Sequence, residues 1–323
     1  MKSLLKLGLV YTYKCNASCA SCCFECHPNL TEKMELKDAL DYIHQAAASS
    51  TFDEIGISGG EALLYEDEVL KILDYASGLG LKTSLTTNGF WGNTQENALY
   101  KLELLKEKGL TNLVVSTDEF HQSFIDYDYI ENILIANEIV GIPLKIYNLV
   151  IRTSSEHPLA TKYKQCDWIK GACVPAGRAK HQIPSGNYIY GDYGGRCTYA
   201  DKLTIMPDNF VYPCCSPGIR LKSMQLGSVS ELSIAQLVQA KENAALLNII
   251  IRRGPKWLKE AGEARGCFLQ NRQDEYVSIC HLCMEIFEDE VFLQQMEPFI
   301  KEILAEIDYE KHLKREPVFR DKT

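Results

Sequence analysis

From Leu7 to Val174 the chain alternates between two apolar periods, and this alternation restricts it to one fold class. Strand-like runs cover Leu7 to Tyr13, Phe52 to Ser58, Lys82 to Thr86, Asn112 to Thr117 and Leu144 to Ile151. Helical patterns separate them, over Met34 to Ala48, Asp67 to Ser77, Thr94 to Lys108 and Tyr129 to Val140. Strands that alternate with helices make parallel βαβ units, because a parallel partner needs a crossover connection. The repeat continues through Thr161 to Val174, giving about six units against the eight of a closed barrel. The expectation is an α/β chain with a partial, open (β/α)6 TIM-like barrel. In such folds ligands gather at the carboxyl ends of the strands.

Near Pro175 the pattern changes. Gly, Pro and Tyr become frequent from Ile183 to Gly195, and Lys202 to Cys214 reads as a hairpin around Pro207-Asp208-Asn209. Helices follow over Ser230 to Glu242 and Leu246 to Arg253, and a last one over Glu288 to Leu313 is broken at Pro298. The predicted parts are a barrel over 1–182, a small cysteine-bearing domain over 183–290 and a C-terminal helix over 291–323. A chain of 323 residues, 46% of them hydrophobic, can bury both a large and a small core.

The formal net charge of -9 argues against a nucleic-acid partner. Lys6 interrupts the apolar N-terminus and no small-residue cleavage site follows, so no signal peptide is read there. No apolar run is long enough to span a membrane. Thirteen cysteines then predict a reducing cytoplasm, where cysteine clusters signal metal or catalysis.

Cys15, Cys19 and Cys22 follow the first strand with gaps of three and two residues. A [4Fe–4S] cluster normally takes four cysteines, so three leave one iron open to a ligand that is not protein. Cys19, Cys23 and Cys26 repeat the same spacing, and spacing alone serves both registers. Cys15 directly follows a strand and precedes Asn16. Gly59, Gly60 and Glu61 close the second strand; paired glycines let a ligand approach the backbone, and a carboxylate accepts from an ammonium. Asn88 lies at the third strand's end, Ser116 and Asp118 at the fourth's, with hydroxyl, amide and carboxylate groups suited to a polar ligand. His121 is read as a surface histidine and left out. Arg178 can grip a carboxylate bidentately or serve as a structural ion pair.

A second set comprises Cys197, Cys214-Cys215 and Cys280-x-x-Cys283. Zinc and a second iron–sulfur cluster both fit four such thiols. Neighbouring side chains diverge in an extended chain, so if Cys214 ligates, Cys215 points elsewhere. A free S–H beside a substrate radical is a hydrogen-atom donor; otherwise Cys215 is a small buried hydrophobe. Cys166, Cys173 and Cys267 read as buried thiols, and chemistry assigns no role to Cys23 or Cys26.

The three-cysteine loop, followed one βα unit later by Gly59-Gly60-Glu61, resembles the signature of radical SAM enzymes. It departs from that family in lacking an aromatic residue before the third cysteine, where Ser21 stands (Glu25 in the second register). The resemblance implies a [4Fe–4S] cluster on Cys15, Cys19 and Cys22, with S-adenosylmethionine on the open iron. Gly59, Gly60, Glu61, Asn88, Ser116, Asp118 and Arg178 would then bind that cofactor. The stretch from Cys197 through Tyr212-Pro213-Cys214 to Val229 resembles the SPASM/twitch domain of peptide maturases. That implies a second [4Fe–4S] cluster on Cys197, Cys214, Cys280 and Cys283. Taken together with Cys22-Cys23-Phe24-Glu25-Cys26-His27-Pro28, Asn88 to Gly92 and Cys214-Cys215-Ser216-Pro217, the motifs look like those of epipeptide epimerases. This implies conversion of L- to D-residues in a ribosomally made precursor peptide, an electron donor of the flavodoxin or ferredoxin type, and catalytic roles for Cys215 and Asp201. Thioether or carbon–carbon crosslinking of a peptide is the alternative chemistry, and a non-catalytic zinc module the alternative class. With no room before the first strand for a leader-binding domain, recognition is expected in the barrel, the small domain or a partner.

Overall fold

Each strand of the first half sorts its side chains by the two-residue period. In β1 (Leu5–Val10), Leu7 and Leu9 are fully buried against the helices, while Lys6 and Gly8 face the other way. In β2 (Phe52–Ser58), Ile55 and Ile57 join that core, and Glu54 and Gly56 take the opposite face. β3 (Lys82–Thr87), β4 (Asn112–Ser116) and β5 (Leu144–Val150) repeat the pattern through Leu85, Val115 and Ile146. One face is thereby a helix-covered core and the other the lumen of a barrel. The computed structural model describes residues 4–216 and 220–313.

β1 to β5 and β6 (Asp167–Ala172) run parallel, each beside the next in chain order. Helices α1 (Leu36–Ala48), α2 (Glu66–Gly78), α3 (Gln95–Glu107) and α4 (Tyr127–Val140) make the crossovers. Two short helices, α5 (Pro158–Lys162) and α6 (Arg178–Gln182), flank β6. β6 ends the sheet, so the barrel stays open, as the alternation predicts.

On the other side the sheet does not stop at β1. β7 (Lys202–Ile205) lies parallel to β1, with Lys202 opposite Lys6 and Ile205 opposite Leu9. β8 (Phe210–Tyr212) returns antiparallel through a turn with Asn209 at φ 67°, and β9 (Gly227–Ser228) follows. The hairpin is the predicted one. Its docking on β1 makes a single nine-stranded sheet that crosses the 182/183 boundary.

The rest is helical: α7 (Ile234–Asn243), α8 (Ala245–Arg253), α9 (Pro255–Glu263), α10 (Ile279–Glu288), α11 (Glu290–Met296) and α12 (Ile300–Leu313). A 3-10 turn over Glu297–Phe299 holds Pro298 and separates α11 from α12, as read from the sequence. α7 packs into the barrel core through Ile234 and Leu237, while α8 to α12 share a core with the first cysteine loop, running from Val10, Cys15 and Cys19 through Tyr212 and Cys214 to Phe292 and Ile303.

Lys241 of α7 bolts the hairpin in place. Its buried ammonium donates to the carbonyl oxygens of Ala200 (2.6 Å), Pro213 (2.9 Å) and Lys202. Burial pulls its pKa down to about 8, against the charges of Cys214, Asp201 and Cys197, so at neutral pH it keeps one proton for each carbonyl. Lys241→Met leaves all three acceptors unpaired, each costing about 1–3 kcal/mol when buried. The variant is expected to lose several degrees of thermal midpoint, read by calorimetry.

Candidate active site

The loop from Cys15 to Cys26 emerges from the carboxyl end of β1 and is fastened on two sides. Below it, Gly60 N–H donates to Thr12 O (2.7 Å) and Glu61 N–H to Lys14 O (2.9 Å). A Cβ on Gly60 would sit 2.2 Å from Lys14 O, and one on Gly59 2.6 Å from Thr12 O, so only glycine fits this backbone contact. On the other side Gly177, at φ 54°, lies against the loop, where a Cβ would meet Cys23 O at 2.4 Å. Arg178 completes the clamp: its guanidinium donates to Cys19 O (2.7 Å) and Cys26 O (2.9 Å), and its N–H to Cys22 O (3.0 Å).

Within the loop Cys15, Cys19 and Cys26 are buried. Burial pushes the Cys15 thiol up to about 12; the Ala17 N–H opposes this, while Glu61, Cys19 and Cys22 add to it. The Cys22 thiol is pulled down to about 6, chiefly by its bond with the Cys26 thiol, with further N–H donors and Arg178 outweighing burial. Cys15, Cys19 and Cys22 thus share one electrostatic neighbourhood. Cys23 is raised by burial and by Cys22, and also feels Cys173 and Cys215, so it faces a different set of thiols.

Several predicted ligand residues are engaged with the protein itself. The fully buried Glu61 carboxylate accepts from Asn88 N–H (2.7 Å), Leu63 N–H (3.0 Å) and the Thr87 hydroxyl (3.0 Å). Burial still lifts its pKa to about 7. Asp118, also buried, accepts from the N–H groups of Phe120 (3.0 Å), His121 (3.1 Å) and Leu149 (3.3 Å) and meets His121 Nδ1 at 2.8 Å. Asn88 Nδ2 donates to Asn16 Oδ1 (2.8 Å) and lies 3.8 Å from Cys15 Sγ. Ser116 lies at the end of β4, on the lumen side opposite Tyr147. The Asn88 amide is engaged on both sides, since its Oδ1 accepts from Phe90 N–H (3.1 Å).

His121, read from the sequence as a surface histidine, is mostly buried and bonded to Asp118 and Cys19. Burial works against its protonation, but Asp118 and the Cys19 thiol overcome it and raise the pKa well above the ordinary value. The signal was its place three residues after Asp118, on a turn that Asp118 caps. Nearby, a cavity of about 210 Å³ opens among Glu119, Asn148, Ser154 and His157 at the ends of β4 and β5. His157 meets the Thr117 hydroxyl at 3.1 Å, and burial lowers its pKa to about 4.

The thiols of the second cysteine set lie within electrostatic reach of one another. Burial raises Cys280 to about 12 and Cys214 to about 11, and each also feels Cys197. Cys283 is raised by burial and by the other three. Ser278 caps α10 through the His281 N–H (3.2 Å) and so starts the turn that carries Cys280 and Cys283. Asp201 lies beside this group; its Oδ1 is buried without a hydrogen-bond partner, and its charge acts on Cys197, Lys202 and Lys241. Among the described residues no three His, Cys, Asp or Glu side chains are gathered as a site for a single metal ion. Pro217 of the doublet motif lies outside the described residues.

Three thiols on a clamped loop at the mouth of an open barrel, with a glycine backbone cradle beneath, form a coherent site. Residues 9–157 match the Radical SAM superfamily. The matched segment ends in the fifth βα unit, just before α5, and the C-terminal cysteines lie beyond it. YydG of Bacillus subtilis (strain 168), a protein named for peptide biosynthesis, is 24% identical over 311 residues, spanning 91% of this chain and 95% of that one. The solved structure of anSMEcpe with bound AdoMet has the same fold, with a TM-score of 0.56, 13% identity, and 94% and 99% of the two chains covered. BtrN in complex with AdoMet and 2-DOIA overlaps less, with a TM-score of 0.47, 14% identity, and 77% and 88% covered.

Gly60→Ala is expected to displace Lys14 and with it the Cys15–Cys26 loop. The thermal midpoint should fall by several degrees, read by calorimetry.

Proposed function

We propose that this chain is a cytoplasmic radical SAM epimerase that converts L- to D-residues in a ribosomally made peptide. The observation that carries this reading is the contrast within the cysteine doublet. Cys214 is buried among Cys197, Cys280 and Cys283, whereas Cys215 is the one exposed cysteine of the thirteen. Cys215 Sγ meets Lys202, and Lys202 stands on the lumen face of β7 because Leu203 and Ile205 occupy the helix-covered face. Tyr147, on the lumen face of β5, is pushed up to about 12 by burial, with Tyr199, Cys280 and Cys215 adding to it. A thiol from the C-terminal part thus stands at the barrel lumen, where a radical made at the strand ends would meet it.

Cys15, Cys19 and Cys22 suit a [4Fe–4S] cluster with an open iron for S-adenosylmethionine, and Cys197, Cys214, Cys280 and Cys283 suit a second cluster. Bound there with an external electron donor of the flavodoxin or ferredoxin type, these groups supply the radical that takes an α-hydrogen from the peptide. The chain's own part is to hold the planar carbon radical and return hydrogen from the opposite face. The Cys215 S–H bond breaks, a C–H bond forms, and a thiyl remains, which one electron and one proton restore to the thiol. The orphaned Asp201 carboxylate beside Lys202 is assigned to this reaction as well. The similarity to YydG over nearly the full chain supports a peptide substrate.

Turnover in deuterium oxide is expected to put one deuterium on the inverted α-carbon, with no other change in mass. Cys215→Ala is expected to cleave S-adenosylmethionine yet yield no D-residue. Chiral analysis and mass spectrometry of the peptide read both; a product two hydrogens lighter would replace this reading with crosslinking, and an iron-free zinc protein would remove the radical chemistry.

A further inference from the structure

The floor of the barrel lumen carries charges that neither cysteine set requires. Lys6 of β1 lies opposite Lys202 of β7, and Glu54 of β2 faces the same lumen. The Glu54 carboxylate is taken up by Lys6 Nζ at 2.8 Å and the Ser84 hydroxyl at 2.7 Å. Lys202 is turned instead to Cys215, with Nζ donating to Sγ at 3.0 Å. The side chains of Cys214 and Cys215 diverge from adjacent positions on the chain. Cys214 is buried, and Cys215 is exposed and held by a cation from the opposite strand at the open end of the hairpin. An exposed cysteine side chain would otherwise move among its staggered rotamers. A hydrogen bond to a charged donor selects one of them, and Lys202 is itself fixed, since its carbonyl accepts from Lys241.

We propose that Lys202 is the positioning residue of Cys215, holding its sulfur at the lumen and away from the cluster side. The inference builds on the reading of Cys215 as the hydrogen-atom donor and extends it to a residue that touches neither peptide nor cluster. Hydrogen abstraction comes before Cys215 acts, so loss of Lys202 leaves that first step intact and weakens only the second. Lys202 then sets how many radical events end in an inverted residue.

The test compares reconstituted wild type with Lys202→Met and Lys202→Arg. Lys202→Met is expected to keep iron content, peptide KM and 5′-deoxyadenosine formation, while the yield of D-residue per 5′-deoxyadenosine falls about tenfold. Lys202→Arg is expected to restore most of that yield. Independently of turnover, anaerobic alkylation by iodoacetamide followed by peptide mapping reads the pair directly. Without the ammonium the sulfur is released from its single rotamer, and its alkylation rate should change several-fold, with Cys166 as the internal reference. An unchanged alkylation rate at Cys215, or unchanged coupling in Lys202→Met, overturns the proposal. Failure of the wild type to make any D-residue overturns the epimerase reading instead, and the alkylation comparison still reports on the pair.

Discussion

The site depends on one short piece of backbone contact. The loop that carries Cys15, Cys19 and Cys22 has no regular secondary structure of its own, so neighbouring segments must supply its shape. Gly60 presses on Lys14 from one side, and Gly177 on Cys22 and Cys23 from the other. Arg178 spans the loop by donating to carbonyls at Cys19 and Cys26. Hydrogen bonds from a charged donor are worth about 1.5–3 kcal/mol each, enough to choose one loop geometry over several. The clamp also ties the start of the barrel to its last unit, because Gly177 and Arg178 follow β6 while the loop follows β1. In an open barrel those two strands do not pair, and this contact links the two sides at the mouth.

The second dependence is the docking of β7 on β1. The ladder from Lys6 opposite Lys202 to Leu9 opposite Ile205 fixes the height of the C-terminal part against the barrel to within a residue. A one-residue slip would turn Leu203 and Ile205 to the lumen and Lys202 to the core, which the buried leucines and isoleucines of that face forbid. Lys241 adds a second restraint by joining the segments on either side of the hairpin through three carbonyls. The position of Cys215 is thus inherited from sheet register, not from the loop that bears it.

The alternation of periods was sufficient to read the barrel, because each strand buries one face against helices and the pattern is local. The Pro207-Asp208-Asn209 turn and the Pro298 break were legible for the same reason. The pairing of β7 with β1 was not, since nothing local distinguishes a hairpin that stands alone from one that extends a distant sheet. The start of α9 was overlooked although Gly254-Pro255 marks it; Gly254 has φ 96° and Pro255 suits a first helical position. At the site, residue types were easier to read than roles. Glu61, Asp118 and Arg178 have the chemistry of ligand-binding groups, yet each is engaged by the protein's own backbone. His121 has the chemistry of a surface residue and bonds to Cys19. Sequence shows that a carboxylate stands beside a glycine pair; it does not show that three internal donors already hold that carboxylate.

That engagement also sets the character of the barrel mouth. With Glu61 and Asp118 turned inward, the mouth presents mostly neutral groups: glycine backbone and the Ser116 hydroxyl. Neutral donors and acceptors fixed by buried carboxylates need little rearrangement when a ligand arrives, which lowers the entropic cost of binding. The lumen floor is built differently, with Lys6, Glu54 and Lys202 arranged as charges and one of them directed at a thiol. A polar but neutral mouth and a charged floor divide the barrel into two environments along its axis. Under the proposed epimerase reading, hydrogen leaves one face of the α-carbon and returns to the other, so the group that starts the radical and the thiol that ends it stand on different sides of the substrate.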